Sequence, residues 1–215
     1  EPGLALLLVL AADGTLERAI VVVRGAAKQA DFGAFVQDQD FLYLTGVGEP
    51  GLALLLVLAA DGTLERDELL VPPHSPFAAT WDGNFLAPGT ATAERTGFAT
   101  AGNVRSLHTT LGELLGGEQA APKPRVFTLL QPAARTGSTP RKAAEAADGV
   151  AKDRFDGRPG REEAFASALT KAHPGVQLDA LEPFVHAMRP TKTAPEIAVI
   201  RRCAEIAARS EERRV

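Results

Sequence analysis

One of the two longest uninterrupted apolar runs in the chain, at residues 52–60, predicts a central β-strand. Residues 52–60 contain no polar side chain, whereas a strand with one solvated face alternates apolar and polar positions. Asp61-Gly62 follows and supplies residue types that tolerate a positive φ, and residues 68–71 return as another strand before Pro72-Pro73. The pattern therefore predicts a hairpin whose first strand is covered on both faces.

Shorter patterns predict the remaining elements. Apolar runs predict strands at 41–45, 125–130 and 176–178, and helical spacing predicts helices at 106–115, 162–172 and, weakly, 141–150. Thr193 and Glu196 form a capping-box pattern that starts a C-terminal helix, whose apolar stripe places Cys203 as a small core residue. Strands alternating with helices around a buried strand indicate an α/β fold with a mixed β-sheet flanked by helices.

Three glycines after the 41–45 run fit a dinucleotide-binding fingerprint by their letters alone. Gly46, Gly48 and Gly51 match G-x-G-x-x-G, but a pyrophosphate needs free backbone N–H groups at a helix N-terminus. Pro50 removes one such donor, Glu49 adds a negative charge, and a strand pattern follows. We therefore interpret the glycines as a turn and predict no cofactor here.

Composition and charge narrow the possible partners and compartment. The chain has 215 residues and a net charge of −4, which gives no basic footprint for nucleic acid. Its single cysteine excludes an intramolecular disulfide framework and suits a reducing cytoplasm. The apolar run at 4–12 is far shorter than the roughly 20 residues that a membrane helix needs, and Glu1-Pro2 does not resemble the start of a signal peptide. We predict a cytoplasmic protein with no nucleic-acid or membrane partner.

Residues 1–18 recur without a change as residues 49–66. Two identical copies do not indicate a solenoid, because solenoid repeats drift in sequence and come in longer arrays. A recent partial duplication or a misassembled gene explains them more simply. Two alternatives stay open for the first copy: residues 4–11 form a hairpin with residues 19–24, or residues 1–18 are mobile.

No residue pattern indicates catalysis. The four histidines, His74, His108, His173 and His186, are isolated from one another and from acidic ligand spacings. No G-x-S-x-G elbow is present. Asp38 and Asp40 would share one face of a strand next to a turn, where capping or hydrogen bonding outweighs acid–base chemistry. We predict no catalytic residue and no metal ligand in this chain.

Three ordered blocks resemble one enzyme family. Residues 35–56, FVQDQDFLYLTGVGEPGLALLL, are similar to F-R-Q-D-S-D-F-x-Y-L-T-G-x-x-E-P in the N-terminal domain of Xaa-Pro aminopeptidases (aminopeptidase P), a domain type shared with creatinase and prolidase. Thr80-Trp81-Asp82-Gly83 resembles the family's W-x-G step. His186-Ala187-Met188-Arg189 resembles the segment that joins this domain to the catalytic domain. The resemblance implies the creatinase/aminopeptidase P N-terminal fold, which is ribonuclease H-like.

The resemblance also implies a domain organisation. Residues 1–18 are a duplicated segment, residues 19–189 the N-terminal-like domain, and residues 190–215 a linker and first helix leading to a pita-bread catalytic domain that this chain lacks. In the family, that later domain holds two manganese ions through two Asp, one His and two Glu. The chain alone is therefore expected to hydrolyse nothing.

The implied function is oligomerisation and substrate gating for a metallopeptidase that releases the residue preceding proline. The expected partners are further copies of the chain, as a dimer or tetramer, and peptides with proline at the second position. By resemblance, Trp81 reaches toward a neighbouring subunit's active site and Asp31 is a fainter candidate for the same interface, while plain packing of Trp81 stays open. The alternative function is a non-catalytic peptide- or protein-binding module.

Overall fold

A computed structural model of the chain describes residues 18–28, 34–59, 61–73, 77, 79–80, 83–116, 125–132 and 139–212. Six strands form one mixed sheet in the order β4-β3-β2-β1-β5-β6. The strands are β1 (Ala19–Arg24), β2 (Ala53–Leu58), β3 (Leu64–Val71), β4 (Thr100–Asn103), β5 (Arg125–Thr128) and β6 (Gln177–Ala180). β2 is antiparallel to both of its neighbours, and the remaining pairs are parallel.

Helices cover both faces of this sheet. In the described part they are α1 (Gln39–Thr45), α2 (Thr90–Thr96), α3 (Leu107–Leu114), α4 (Pro140–Lys152), α5 (Arg161–Ala172), α6 (Glu182–Met188) and α7 (Ala194–Glu212), with a 3₁₀ turn at Val104–Ser106. The predicted α/β class with a mixed sheet is confirmed, as are the predicted helices at 106–115, 141–150 and 162–172.

The central strands are buried on both faces, as their unbroken apolar sequence predicts. Every residue of β2 is buried. Alternate side chains enter two clusters: Leu54, Leu56 and Leu58 pack with α1 and α6, whereas Ala53 and Leu55 pack with α3 and α5. The sheet therefore separates two cores, one on each face.

The predicted hairpin between β2 and β3 is confirmed. Its turn differs from the prediction, because Gly62 has a positive φ and Asp61 does not. Gly62 has φ +82°, while no described residue other than glycine has a positive φ. The Gly62 amide donates to the Ala59 carbonyl at 3.0 Å, and the Ala59 amide donates to Thr63 at 2.9 Å. Asp61 instead accepts a 2.9 Å hydrogen bond from the Thr63 amide through its side chain. One glycine thus suffices because Asp61 stabilises the turn as an Asx residue.

The predicted strand at 41–45 is wrong, because these residues form helix α1. Phe41, Leu44 and Thr45 are buried while Leu42 is exposed, which is helical spacing instead of alternation. Gly46 ends the helix at φ +67°, and its amide donates to Leu42. A five-residue apolar run cannot distinguish strand from helix by itself. The left-handed glycine and the sheet surface beneath the helix decide it.

Other boundaries differ where the local signal is weak. β3 begins four residues before the predicted start, β5 ends at Thr128 and β6 is displaced toward Ala180. No local pattern predicted α2, β4 or α6. β4 is an edge strand that pairs with β3 in the described sheet. Its sequence, TAGN, contains no apolar run that could have predicted a strand. A Cβ at Gly102 would meet the carboxylate of Glu68, which would have to move away.

Strand β1 is hydrogen-bonded on both sides. Val21 lies opposite Leu56 in β2 and opposite Phe127 in β5. A strand has two ladder edges, and both are occupied here. The hypothesis that residues 4–11 form a hairpin with residues 19–24 concerns a segment that lies outside the described residues.

The described ranges contain no helix that combines the length and hydropathy needed to cross a bilayer.

Candidate functional site

Gln37 is the centre of a buried polar network at the carboxyl end of β1. Its side chain is 5% exposed. Its Oε1 accepts hydrogen bonds from the Ala26 amide at 2.6 Å and the Asp38 amide at 2.9 Å, while Nε2 donates to the Glu49 carbonyl at 2.6 Å. One side chain thus joins the loop after β1, the start of α1 and the turn before β2.

The neighbouring backbone leaves no room beside this network. A Cβ at Gly25 would lie 3.0 Å from the Gln37 amide group and 3.0 Å from Phe41. The Gly51 amide donates to the Ala26 carbonyl at 2.7 Å. Gly46 ends a helix and a strand follows Gly51, so the predicted turn at the three glycines is confirmed.

A second cluster joins α1 to α6 across 149 residues of sequence. Asp40 Oδ1 lies 2.6 Å from Arg189 Nη1, and Asp40 Oδ2 lies 3.4 Å from His186 Nε2. The Arg189 guanidinium carbon is 5.6 Å from the centroid of the Tyr43 ring. Burial is the main cause of a raised pKa for Tyr43, and the charge of Glu196 adds to it. Cation, carboxylate and ring together hold the segment after α6 against α1.

The start of α7 is fixed by the predicted capping box. Glu196 Oε2 accepts from the Thr193 amide at 2.8 Å and from its hydroxyl at 2.7 Å. These hydrogen bonds are the main cause of the lowered pKa of Glu196. The Lys192 ammonium also donates to the Arg189 carbonyl. The predicted helix start is confirmed, and it connects directly to the Arg189 cluster.

The apolar stripe of α7 does not pack into a core in the described part. Val199 is 63% exposed, and Ile200 and Ile206 are each more than half exposed. Cys203 is also exposed, so its predicted core position is wrong. The helix has the right amphipathic spacing, but it extends beyond the sheet, where no described element covers it.

Asp38 and Asp40 do not share a strand face as predicted, because they belong to the start of a helix and diverge. Asp38 is 1% exposed, with its Oδ2 3.7 Å from Arg161 Nη1 of α5. Asp40 faces α6 instead. Asp38 precedes the helix as its N-cap without a side-chain capping bond. For Asp40, the expected hydrogen-bonding role is confirmed by its bond to Arg189.

Asp38 belongs to a partly buried group of charges at the end of β1. Burial lowers the pKa of Arg24, and the nearby charge of Arg161 lowers it further. Burial is also the main cause of a raised pKa for Glu162, to which the charge of Asp38 adds. The positive charges of Arg24 and Arg161 repel each other. Burial disfavours the charged form of Glu162, and the attraction of the two arginines offsets this cost only in part.

We expect Glu162→Gln to increase the free energy of unfolding at pH 7. A folded-state pKa above the unfolded value means that the favourable contribution is complete below the unfolded pKa, about 4.3, and is lost as pH rises through the folded pKa. The gain should therefore disappear on acidification to about pH 4. Urea denaturation at several pH values measures it.

Glu163→Gln is the matched control for this prediction. Both residues lie in the first turn of α5, so both substitutions lose the same helix-dipole stabilisation, but Glu163 is exposed. An equal effect of the two substitutions at pH 7 would contradict the burial argument.

The described side chains of the two clusters hold chain segments together. Within the described ranges, no group of three or more His, Cys, Asp or Glu side chains could hold a metal ion. The described residues therefore offer no ligand set for a dimetal centre. The polar side chains of the two clusters are engaged with backbone amides and with each other, which fixes α1, the turn before β2 and the approach to α7.

The predicted site residues and the four histidines lie partly inside and partly outside the described residues. Trp81 and Asp31 lie outside the described residues, and so does His74. His173 is the C-cap of α5, as predicted from His173-Pro174-Gly175. His108 is an exposed residue of α3. Of the three histidines that the structure describes, His186 lies in the cluster around Asp40.

The chain is similar to a known protein family in sequence and to solved structures in fold. A sequence model described as "Aminopeptidase P, N-terminal domain" matches residues 11–121, just over half of the chain. The chain belongs to this family. A search of curated proteins finds no match.

Solved aminopeptidase P structures share the fold. The Escherichia coli enzyme with the inhibitor Pro-Leu is 20% identical, with a TM-score of 0.62, covering 98% of this chain and 44% of that protein. Proline aminopeptidase P II from Yersinia pestis is 22% identical, with a TM-score of 0.61, covering 97% of this chain and 43% of that protein. The chain thus spans less than half the length of these aminopeptidase P chains.

Several contacts of this aminopeptidase P N-terminal domain were missed from sequence. Glu182 is 5% exposed, and its Oε1 accepts from the Leu130 and Gln131 amides, each at 2.6 Å. No local pattern marks this contact, because its partners lie about fifty residues away. For Gln37, Asp40 and Arg189 a signal did exist, since all three lie inside blocks that resemble the family.

Proposed function

We propose that this chain is the N-terminal, oligomer-forming and substrate-gating part of a cytoplasmic Xaa-Pro aminopeptidase. Its substrates are peptides with proline at the second position, and its partners are further copies of the same chain, as a dimer or tetramer. The observation that carries the proposal is the family match together with an α7 that begins at a fixed place and presents an exposed apolar stripe.

Helix α7 supports a continuation into a second domain. Its exposed side chains, Val199, Ile200 and Ile206, are at helical spacing, and such a stripe gains stability only when another surface covers it. The solved aminopeptidase P chains extend well beyond the part that this chain matches. A following domain is therefore the proposed cover.

The Arg189 cluster supports a defined orientation of that domain. Asp40 and Arg189 join α1 to the residues immediately before α7, and the capping box of Thr193 and Glu196 sets where the helix begins. A charge-assisted pair followed by a capped helix transmits the position of the sheet to the helix axis.

Hydrolysis is assigned to the proposed following domain, with two manganese ions bound there. We expect the 215-residue chain alone, supplied with manganese, to release no residue from an Xaa-Pro peptide. Chromatographic analysis of the products checks this, and cleavage by the purified chain would overturn the assignment.

Gating is tested in a fusion that replaces the matching N-terminal part of E. coli aminopeptidase P with this chain. We expect the fusion to cleave Xaa-Pro peptides, and Trp81→Ala to lower kcat/KM by roughly tenfold, as for a central aromatic contact of about 1.4 kcal/mol. Phe155→Ala is the matched control, because Phe155 is a fully exposed aromatic residue at 102%.

A different result would reject each part of the proposal. Equal activity of the Trp81 and Phe155 variants would reject gating, and sedimentation of the fusion as a monomer would reject oligomer formation. An inactive but folded fusion, with peptide binding by the isolated chain, would instead favour a non-catalytic binding module.

A further inference from the structure

An open groove lies between α3 and α5, on the sheet face opposite the Gln37 network. Its volume is about 400 Å³, within the range of small-molecule sites. Leu111 and Leu169 are buried at its base, and Leu107 and Phe165 pack partly against the same core. Ala168 and Ala172 form part of the α5 wall. The groove is therefore apolar along both helices.

The polar groups that line this groove are all basic or imidazole. They are Arg24, Arg105, His108 and His173, and no described Asp or Glu lines it. The sequence as a whole has 27 acidic and 23 basic residues, so this local balance is opposite to that of the chain. An apolar groove that is lined by two arginines and by no described carboxylate complements an apolar molecule that carries a negative charge.

The surroundings of Arg24 disfavour its positive charge, and a bound anion would stabilise that charge. Its guanidinium carbon is 5.2 Å from the centroid of the Phe165 ring, and the described residues provide it with no carboxylate partner within 4.0 Å. Burial and the charge of Arg161 lower the pKa of Arg24, and the charge of Glu162 raises it by less, so the cation is disfavoured on balance. A ligand carboxylate would accept hydrogen bonds from this guanidinium while its apolar body covers Phe165.

We propose that the groove between α3 and α5 binds a small carboxylic acid with an apolar, aryl or alkyl body. Arg24 holds the carboxylate at the inner end, and the exposed Arg105 adds attraction at the rim.

The probe is 4-phenylbutyrate, with 4-phenylbutylamine as its cationic counterpart. Titration of the ¹⁵N-labelled 215-residue chain, followed by amide chemical shifts, should show saturable changes in α3 and α5 with a Kd of about 1 mM or lower. The amine should bind at least tenfold more weakly, because Arg24 and Arg105 repel its ammonium group.

Four variants locate the site. Arg24→Gln and Arg105→Gln should each weaken 4-phenylbutyrate binding, by roughly tenfold for Arg24, since a hydrogen bond to a charged group is lost. Ala168→Phe should abolish binding by filling the groove. Ala164→Phe is its control, because Ala164 is an exposed alanine of the same helix that does not line the groove.

The folding of each variant is checked from the dispersion of its amide spectrum. The exposed Arg105 keeps the charge test available even where Arg24→Gln disturbs β1. The proposal is wrong if no saturable shift occurs up to about 10 mM ligand, if the amine binds as tightly as the acid, or if Ala164→Phe and Ala168→Phe act alike. Occupation of the groove by another part of a longer chain would give the first of these results.

Discussion

Replacing Phe41 by alanine is expected to lower the free energy of unfolding by about 3–5 kcal/mol, the usual cost of emptying a buried aromatic site. Phe41 is 0% exposed and packs from α1 onto the core that also contains Leu54 and Leu56. Since domains are stable by only about 5–15 kcal/mol, the loss is a large share of the total. Urea denaturation monitored by circular dichroism measures it.

Leu42→Ala is the control, and it also tests the helix itself. Leu42 is 43% exposed, so its replacement should change stability by less than about 1 kcal/mol. In a strand, Leu42 and Leu44 would point to the same face, and both substitutions would then be costly or both harmless. A Leu42→Ala loss as large as that of Leu44→Ala would show that residues 41–45 are not helical.

Gln37→Met is expected to cost about 2–4 kcal/mol at nearly unchanged side-chain volume. The substitution removes three hydrogen bonds at once and leaves the Ala26 and Asp38 amides and the Glu49 carbonyl without this partner. Each buried group that loses its partner costs about 1–3 kcal/mol, and the three are coupled, so the losses do not simply add. Chemical denaturation gives the value.

The control for Gln37 is Gln177→Met, because Gln177 is an exposed glutamine of β6. It should shift stability by no more than about 0.5 kcal/mol. Faster hydrogen exchange of the Ala26 amide in Gln37→Met would locate the damage in the network. Similar stabilities of the two variants would mean that water replaces the Gln37 side chain without cost.

Most contacts lie on one face of the sheet or the other, and the ion pair of Asp38 with Arg161 joins the start of α1 to α5 at the end of β1. The Asp40 cluster and the approach to α7 lie with α1 and α6, whereas the groove with Arg24 and Ala168 lies with α3 and α5. Groups on opposite faces of a packed sheet share few direct neighbours, so substitutions in one set should act additively with those in the other. The peptidase proposal and the carboxylate proposal can therefore be tested independently.

Local signals in the sequence were sufficient wherever the deciding interaction is itself local. Thr193 and Glu196 are three residues apart and bond to one another, so their spacing predicts the start of α7 correctly. The apolar run of β2 predicts a buried strand because no polar residue could face solvent. The resemblance of residues 35–56 predicted the family that the sequence model confirms.

Long-range contacts decided the rest. Whether Phe41 to Thr45 form a strand or a helix depends on the surface beneath them and on Gly46. The predicted burial of Cys203 failed because amphipathic spacing states which face of a helix is apolar, but not whether another element covers that face.

The amino-acid sequence by itself determined the α/β class, the buried β2 and the family, because these depend on periodicity and on short motifs. Only the tertiary structure brought Asp40 to Arg189 over 149 residues and collected Arg24, Arg105 and His108 around one apolar groove. The physical reason is that the backbone conformation preferred by a short segment depends on the residue types of that segment and its immediate neighbours. The electrostatic surroundings of a side chain are instead set by residues that become neighbours only when the sheet has formed.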